Sequence, residues 1–439
     1  MFLADLWTRR YPKTGPCALA RIGGVVGQDA SVASFRRTVE EHRAAVAALL
    51  PPMPAEEVRI AQARGRVLAS DVVAAVSLPS FDNSAMDGYA VRAAELLGNG
   101  DGEPVELPVG ADIPAGRLDV PPLEPGTAHR IMTGAALPAG ADAVVPVEET
   151  DGGTGTVRVT AVPEPGAYVR YTGEDVRAGD VVLRAGTVLG PAQIGVAAAV
   201  GCATVSVRRR PRVLVLSTGS ELVAPGTKLQ PGQIYESNGP MLAAAVEDAG
   251  GQAELLRFVP DDVEQFLDRL RQRLDTGQVD LVLTSGGVSA GAYEVVRDAF
   301  TGRGVEFGRV AMQPGGPQGA GRVAELGGVC VLTLPGNPVS THVSFEVFVR
   351  SALRASFGHP HPERPLVTAT LSEHWRSPAG RRQFRRGLLD AVEGTVQEVG
   401  TSASHMLGSL ARADCLVVVP EDVTELEAGA AVELWLLEP

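Results

Sequence analysis

Several absences set the first bounds on this chain. Aromatic residues make up only 5 % of its 439 positions, against 51 Gly and 32 Pro, which excludes an ordinary helical bundle and points to turns and short strands. Four cysteines, Cys17, Cys202, Cys330 and Cys415, are scattered without a C-x-x-C spacing, so neither a structural zinc site nor a disulfide framework is expected and a reducing cytoplasm fits. Positive charge is scarce: 39 Lys and Arg face 52 Asp and Glu, a net charge of -13. That disfavours nucleic acid or an anionic membrane as partner. No apolar run reaches the roughly 18 residues of a membrane span, and the opening M-F-L-A-D-L-W-T-R-R lacks the charged and apolar regions of a signal peptide. There is no G-x-x-x-x-G-K-[ST] and no G-x-G-x-x-G, which removes the common nucleotide and dinucleotide folds.

What is present is 45 % hydrophobic residues, ample for two to four domains at this length. Residues 1–30 read as a loose extension. Near Ser31 the apolar positions Val32, Phe35, Val39, Val46 and Leu49 predict an amphipathic helix stopped by Pro51-Pro52. Arg59 to Val76 passes from a helix-like to a β-like pattern. A helix-like A-Q-I-G-V-A-A-A-V after Pro191 and a strand-like A-T-V-S-V lack a core of their own, so 176–208 is expected to pair with 31–76 in a discontinuous linker domain. Between them, 77–175 consists of short β-runs broken by Gly and Pro, a small all-β domain.

Residues 209–358 alternate as βαβ units do. Strands are expected at Val213–Leu216, Glu254–Val259, Leu281–Leu283 and Val329–Leu334, and helices at Met241–Ala249, Val263–Leu274 and Val339–Leu353. Asp261 with Glu264 resembles a capping box. A parallel sheet with helices on both faces follows. From 359 to 439 alternating runs predict a final β-barrel.

Three strands of the α/β unit open into small-residue turns: Ser217-Thr218-Gly219, Ser285-Gly286-Gly287-Val288-Ser289 and Pro335-Gly336-Asn337-Pro338. Ligands bind beyond such strand ends, and consecutive amides of small residues suit an oxyanion. Plain structural turns would give the same pattern. Gly287-Val288-Ser289-Ala290-Gly291 also matches the nucleophile elbow G-x-S-x-G, yet Thr284, Ser285 and Gly286 separate it from the strand, and no oxyanion segment accompanies it. Ser289 is therefore not read as a nucleophile. The basic patches Arg208–Arg210 and Arg381, Arg382, Arg385, Arg386 suit a phosphate or a solvated face equally. Loop carboxylates Asp82, Asp87, Glu174, Asp175, Glu221, Asp261 and Glu294 are the oxygen donors that Mg²⁺ prefers, although each alone reads as a solvated acid or a cap.

Six motifs then occur in order: F-D-N-S-A-M-D-G-Y-A from Phe81, R-I-M-T-G-A from Arg130, G-E-D from Gly173, S-T-G-S-E-L from Ser217, S-G-G-V-S-x-G from Ser285 and L-P-G-N-P-V-S from Leu334. Together they closely resemble the MoeA-type molybdopterin molybdenumtransferases, the family that includes the gephyrin E domain. The resemblance spans 31–439. It implies a multidomain α/β plus β fold: a MogA-like parallel α/β domain that binds molybdopterin, a discontinuous linker domain, an inserted small β domain and a C-terminal β-barrel. The implied assembly is a homodimer whose site is shared between subunits. The implied reaction inserts molybdate into adenylylated molybdopterin, with Mg²⁺-dependent release of AMP. A MogA-like adenylyltransferase and recipient molybdoenzymes are the implied partners.

Carried over by motif, Asp82, Thr133, Asp175, Glu221, Asp261 and Glu294 are the implied catalytic residues, with Glu221, Asp261 and Glu294 holding metal. Ser217, Thr218, Gly219, Ser285, Gly286, Gly287, Ser289, Arg309, Pro335, Gly336, Asn337, Pro338, Arg386 and Ser404 are the implied binding residues. Departures accompany the matches. Glu294 stands at a usual Asp, Arg309 at a usual Lys, Ala292 where an acid is common, and Gln313-Pro314-Gly315-Gly316 replaces the usual K-P-G-K. Two cations are thereby missing. A non-catalytic or weakly catalytic molybdopterin-binding scaffold of the same fold is the alternative expectation.

Overall fold

The computed structural model describes residues 34–97, 103–219, 221–257, 262–286 and 295–437. Its central layer is a seven-stranded sheet built from β1 (Ser34–Arg37), β2 (Arg212–Ser217), β3 (Gln252–Arg257), β4 (Leu281–Ser285), β5 (Val305–Val310), β6 (Pro317–Val323) and β7 (Val329–Leu334), in the order β1-β5-β6-β7-β4-β2-β3. Strands β7, β4, β2 and β3 are parallel neighbours. Strand β6 is antiparallel to both β5 and β7, so the expected purely parallel sheet is corrected to a mixed one. The reason is local: a parallel return needs a long crossover, whereas an antiparallel one needs only a tight turn. Here Gly315, at φ 103°, and Gly327-Gly328, at φ 72° and 75°, supply the left-handed backbone for two short reversals.

Apolar residues cover both faces, as burial on both sides requires. One face carries Val213, Val215, Leu281, Leu283, Leu332 and Leu334 against Leu242, Phe345 and Phe348. The other carries Leu214, Leu216, Val282 and Val331 against Phe266, Leu270 and Phe300. Helix Val263–Asp275 is capped by Asp262, whose carboxylate accepts the Gln265 N–H at 2.9 Å. The cap expected at Asp261 falls outside the described residues.

The start of the described chain departs from expectation. Phe35 belongs to β1, which pairs with β5, and the helix begins only at Val39, where Thr38 and Glu41 form a capping box. Helix Val39–Leu49 buries Val39 and Val46 in the α/β core beside Leu50, so this stretch packs with the sheet and not with the linker. Ala55–Arg59 does pair with Thr204–Arg208, and Ala63, Leu68, Val72, Leu189, Ala197, Val200 and Val205 share one discontinuous core. The helix-like pattern after Arg59 yields only the short turn Ile60–Gln62.

The inserted β unit is a five-stranded sheet in the order Ala143–Pro146, Gly88–Val91, Ala128–Ile131, Val105–Ile113, Thr156–Val159. In the C-terminal unit Arg382–Asp390 pairs with both Thr395–Glu398 and Cys415–Val419, and these connect through Leu366–Leu371 and Ala431–Leu436. The sheet thereby closes into a barrel. Met312–Gln313, from the link between β5 and β6, adds to its edge beside Arg382–Asp390. No described helix is long and apolar enough to cross a membrane.

The single helix expected from Val339 to Leu353 is three segments, Pro338–Ser344, a π-turn Phe345–Val349 and Arg350–Ser356. A charged pair inside this run explains part of its placement. Glu346, with its side chain 1 % exposed, accepts two bonds from Arg364 at 2.8 and 3.1 Å. Arg364 lies just before the first barrel strand, so the pair seats the barrel on the helix.

His42 gives this core a pH dependence. Its ring lies 5.3 Å from Phe35 and 4.7 Å from Phe348, and burial, followed by repulsion from Arg37, pushes its pKa down from 6.5 to about 3. A depressed folded-state pKa means that the contribution is complete above the unfolded value and lost as pH falls through the window from 6.5 toward 3. Urea unfolding is therefore expected to show a loss of about 2 kcal/mol between pH 7 and 5 that His42→Leu abolishes.

Candidate functional site

The parallel register brings the three small-residue turns side by side. Ser217 pairs with Ser285, and Ser285 with Leu334, so the ends of β2, β4 and β7 form one row. Alternation along the strands places Ser217 and Ser285 on the face that also carries Leu283 and Leu334. On that face two helices begin, one at Asn238 and one at Pro338.

Free backbone amides are fewer than the sequence suggests. The Thr218 N–H donates to Ser285 O at 3.3 Å, the Gly286 N–H to Leu334 O at 3.0 Å and the Val339 N–H to Ser404 O at 3.1 Å. Side-chain oxygens are the uncommitted groups instead. Among the described residues, Ser217 Oγ, Thr284 Oγ1, Thr333 Oγ1 and Asn238 Oδ1 are buried without a hydrogen-bond partner. Thr284 and Thr333 alternate to the opposite face, but Ser217 Oγ and Asn238 Oδ1 lie on the face of Ser285, and two such orphans there mark a place where a ligand completes the bonding, since buried polar groups are otherwise paired.

Asn238 was not singled out by sequence. The helix expected at Met241 opens at Asn238 instead, and Ser237-Asn238-Gly239-Pro240 is a helix-start signature that would have revealed it. Its amide nitrogen donates to Ser285 Oγ and to Gly336 O, each at 2.7 Å. The two turns touch here: a Cβ on Gly336 would stand in ordinary contact with Gly286 Cα, at 3.5 Å.

The barrel supplies the next wall. Asn337 donates to Ser404 Oγ at 2.9 Å. Arg386, 3 % exposed, donates to the carbonyls of Val399, Ala403 and Thr401, and so holds the loop that presents Ser404. Gln313 Oε1 meets Gln383 Nε2 at 3.4 Å, and the gap between Gln313, Gln383, Arg386 and Glu398, about 10 Å³, admits one water at most. Arg309 is exposed on β5, in register beside Arg36.

The acidic loop of the β unit forms a second cluster. Asp82 accepts from Thr172 N and Oγ1, both at 2.7 Å, and Asp87 from Thr133 N and Oγ1, both at 2.7 Å. These bonds, backbone first, hold both carboxyls below their usual range. The Asp175 N–H donates to Leu78 O at 3.0 Å, which keeps Asp175 on the same loop. Among the described residues no hydrogen bond or ion pair joins this cluster to the strand-end row. Phe81, Tyr168 and Tyr171 beside it are 48, 45 and 49 % exposed.

Of the expected metal set, Asp261 and Glu294 lie outside the described residues, as do Gly287 and Ser289. Glu221 is exposed, and its carboxylate lies over Gly219, 2.7 Å from where a Cβ would stand. Glu221 is thus the one member of that set among the described residues, and its carboxylate fits a Mg²⁺ ion whose octahedral oxygen set is otherwise filled by water and substrate phosphate. The one described grouping of three ligand atoms, His374, Glu425 and Glu427, is exposed on the barrel with Arg376 3.7 Å from Glu425, a poor neighbour for a cation.

Comparison with known proteins covers nearly the whole chain. Residues 37–201 match the family description "MoeA N-terminal region (domain I and II)", 214–355 "Probable molybdopterin binding domain" and 368–437 "MoeA C-terminal region (domain IV)". The chain is 54 % identical over 409 residues to molybdopterin molybdenumtransferase 2 of Mycobacterium tuberculosis, covering 91 % of this chain and 99 % of that protein. It is 41 % identical over 425 residues to molybdopterin molybdenumtransferase 1 of the same organism, at the same coverage. A crystal structure titled as the molybdopterin biosynthesis MoeA protein from Pyrococcus horikosii superposes with a TM-score of 0.77 at 32 % identity, over 92 % of this chain and all of that one.

The paired bonds from Thr172 predict a measurable consequence. In Thr172→Val the hydroxyl bond is lost and the backbone bond kept, so NMR titration should find the Asp82 carboxyl nearer its ordinary range while Asp87, bound by Thr133, stays unmoved.

Proposed function

The chain belongs to the MoeA family of molybdopterin molybdenumtransferases, and from that premise we propose a reaction for the row of strand ends described above. The protein acts in molybdenum cofactor biosynthesis by inserting molybdate into molybdopterin. The substrate is adenylylated molybdopterin, and AMP leaves as molybdate enters. The observation that carries this reading is the set of buried, unpartnered oxygens around Ser217, Ser285 and Asn238 at adjoining strand ends.

The dithiolene sulfurs of the substrate are soft ligands suited to molybdenum. This chain therefore needs no cysteine cluster of its own, in keeping with the burial of Cys330 and Cys415. Its part is to bind and orient. Ser217, Ser285 and the turn from Pro335 to Pro338 receive the substrate, and the barrel fixes that turn through Ser404. Asp82, Thr133, Asp175 and Glu221 are read as the groups that handle molybdate and water. A divalent cation, Mg²⁺ in the family pattern, is part of the reading, with no step drawn through it.

A homodimer is part of the same reading, and the exposed acidic loop supports it. The acidic loop of the β unit is exposed and flanked by exposed aromatic rings, with no described bond to the strand ends of its own chain, so a second copy supplies it to the site. The cytoplasm is the expected compartment.

Two measurements test the proposal. The purified full-length protein, given adenylylated molybdopterin, molybdate and Mg²⁺, should release AMP, and EDTA should stop it. Absence of AMP at every molybdate concentration would remove the transferase reading and leave the scaffold alternative. For the shared site, Asp82→Asn and Glu221→Gln should each be inactive alone, and refolding them together should restore about a quarter of wild-type activity through heterodimers with one intact site. Mixtures as inactive as their components would place the whole site within one subunit.

A further inference from the structure

The Asn238 side chain ties the second and third turns together, and its bonding leaves its amide no rotational ambiguity. Gly336 O is a carbonyl and can only accept, so the nitrogen of Asn238 must face it; the same nitrogen also reaches Ser285 Oγ. Both N–H groups are thereby committed. Oδ1 points the other way, buried and unpartnered among the described residues, as Ser217 Oγ is at the end of the adjacent strand β2.

An amide oxygen held in this way is an acceptor and nothing else. A phosphate or molybdate oxygen set against it would bring two acceptors together with no proton between them, which is unfavourable in a buried place. Its complement is an N–H donor. Of the chemical parts of the substrate named above, the anionic groups offer only acceptors at neutral pH, whereas the exocyclic amines of the pterin and of the adenine each carry two N–H bonds, and of these two rings only the pterin stays when AMP leaves. Two unpartnered oxygens, Asn238 Oδ1 and Ser217 Oγ, match that pair of donors.

We propose that Asn238 is the pterin-recognising residue of this chain, with its Oδ1 accepting an N–H of the exocyclic amine beside Ser217 Oγ, which directs the anionic groups of the substrate away from this corner of the cradle. The inference rests on the reading of the strand-end row as the molybdopterin site. It adds an orientation to that reading, because the donor edge of the ring is placed at β2 and β4.

The test compares two ring compounds on the full-length protein by fluorescence titration: 6-hydroxymethylpterin and its analogue with oxygen in place of the exocyclic amine. The wild type is expected to bind the pterin about tenfold more tightly than the analogue. Asn238→Ala should bind both within about twofold of each other, while Ser217→Ala should keep part of the preference, since it leaves the Asn238 amide in place. A preference that survives intact in Asn238→Ala overturns the proposal, as does a wild type that binds both compounds equally. The second outcome needs no variant, so a poorly folding Asn238→Ala does not shelter the idea. If adenylylated molybdopterin turns over normally while the ring preference is missing, only this inference falls. If the wild type neither binds the pterin nor releases AMP, the reading of the site falls with it.

Discussion

Parallel register is the constraint on which the rest depends. With β7, β4 and β2 in step, Ser285 lies between Leu334 and Ser217, and three turns far apart in sequence end at one level. A slip of one residue would turn Ser217 and Ser285 to the opposite face and exchange them for Leu216 and Thr284. The apolar alternation prevents it: Val213, Val215, Leu281 and Leu283 are committed to one core and Leu214, Leu216 and Val282 to the other. Core packing thus fixes the position of the polar groups.

A second set of contacts joins the barrel to this row. The helix run from Pro338 meets the barrel at two points, through Ser404 at its first turn and through Glu346 with Arg364 further along. Arg386 stands behind the first contact, bridging three carbonyls of the loop that carries Ser404. In the resemblance this arginine is an anion ligand. Its hydrogen bonds make it a loop clamp as well, with a guanidinium fork broad enough to span several acceptors. The edge pairing of Met312–Gln313 with the barrel strand brings the Gln-Pro-Gly-Gly turn to the same wall.

The acidic loop obeys a different logic. Its carboxylates are exposed, yet Asp82 and Asp87 are each held by a threonine through both backbone and hydroxyl. That arrangement fixes two negative charges on a surface without burying them, and so avoids the desolvation that would neutralise a buried acid.

The sequence by itself determined the family, through six ordered motifs, and most of the α/β elements, because buried strands read as short runs of Val and Leu and their small-residue turns are rare enough to notice. It also determined the barrel and the inserted β unit, through alternation and Gly-Pro spacing. It misplaced the chain start: Phe35, Val39 and Val46 share a helical period, but Thr38 caps the helix and leaves Phe35 to a strand whose partner, β5, lies some 270 residues away in the chain. Periodicity is local and cannot see such a partner. The antiparallel β6 was hidden for a like reason, since Gly319 and Gly321 dilute its pattern; Gly319 is required there because a Cβ would stand 2.2 Å from Thr333 Oγ1. Only the tertiary structure decided which amides remain free, that Arg386 holds a loop, and that Asn238 links two turns. Those facts depend on hydrogen bonds between segments 13 to 98 positions apart, and no spacing along one strand or helix records them.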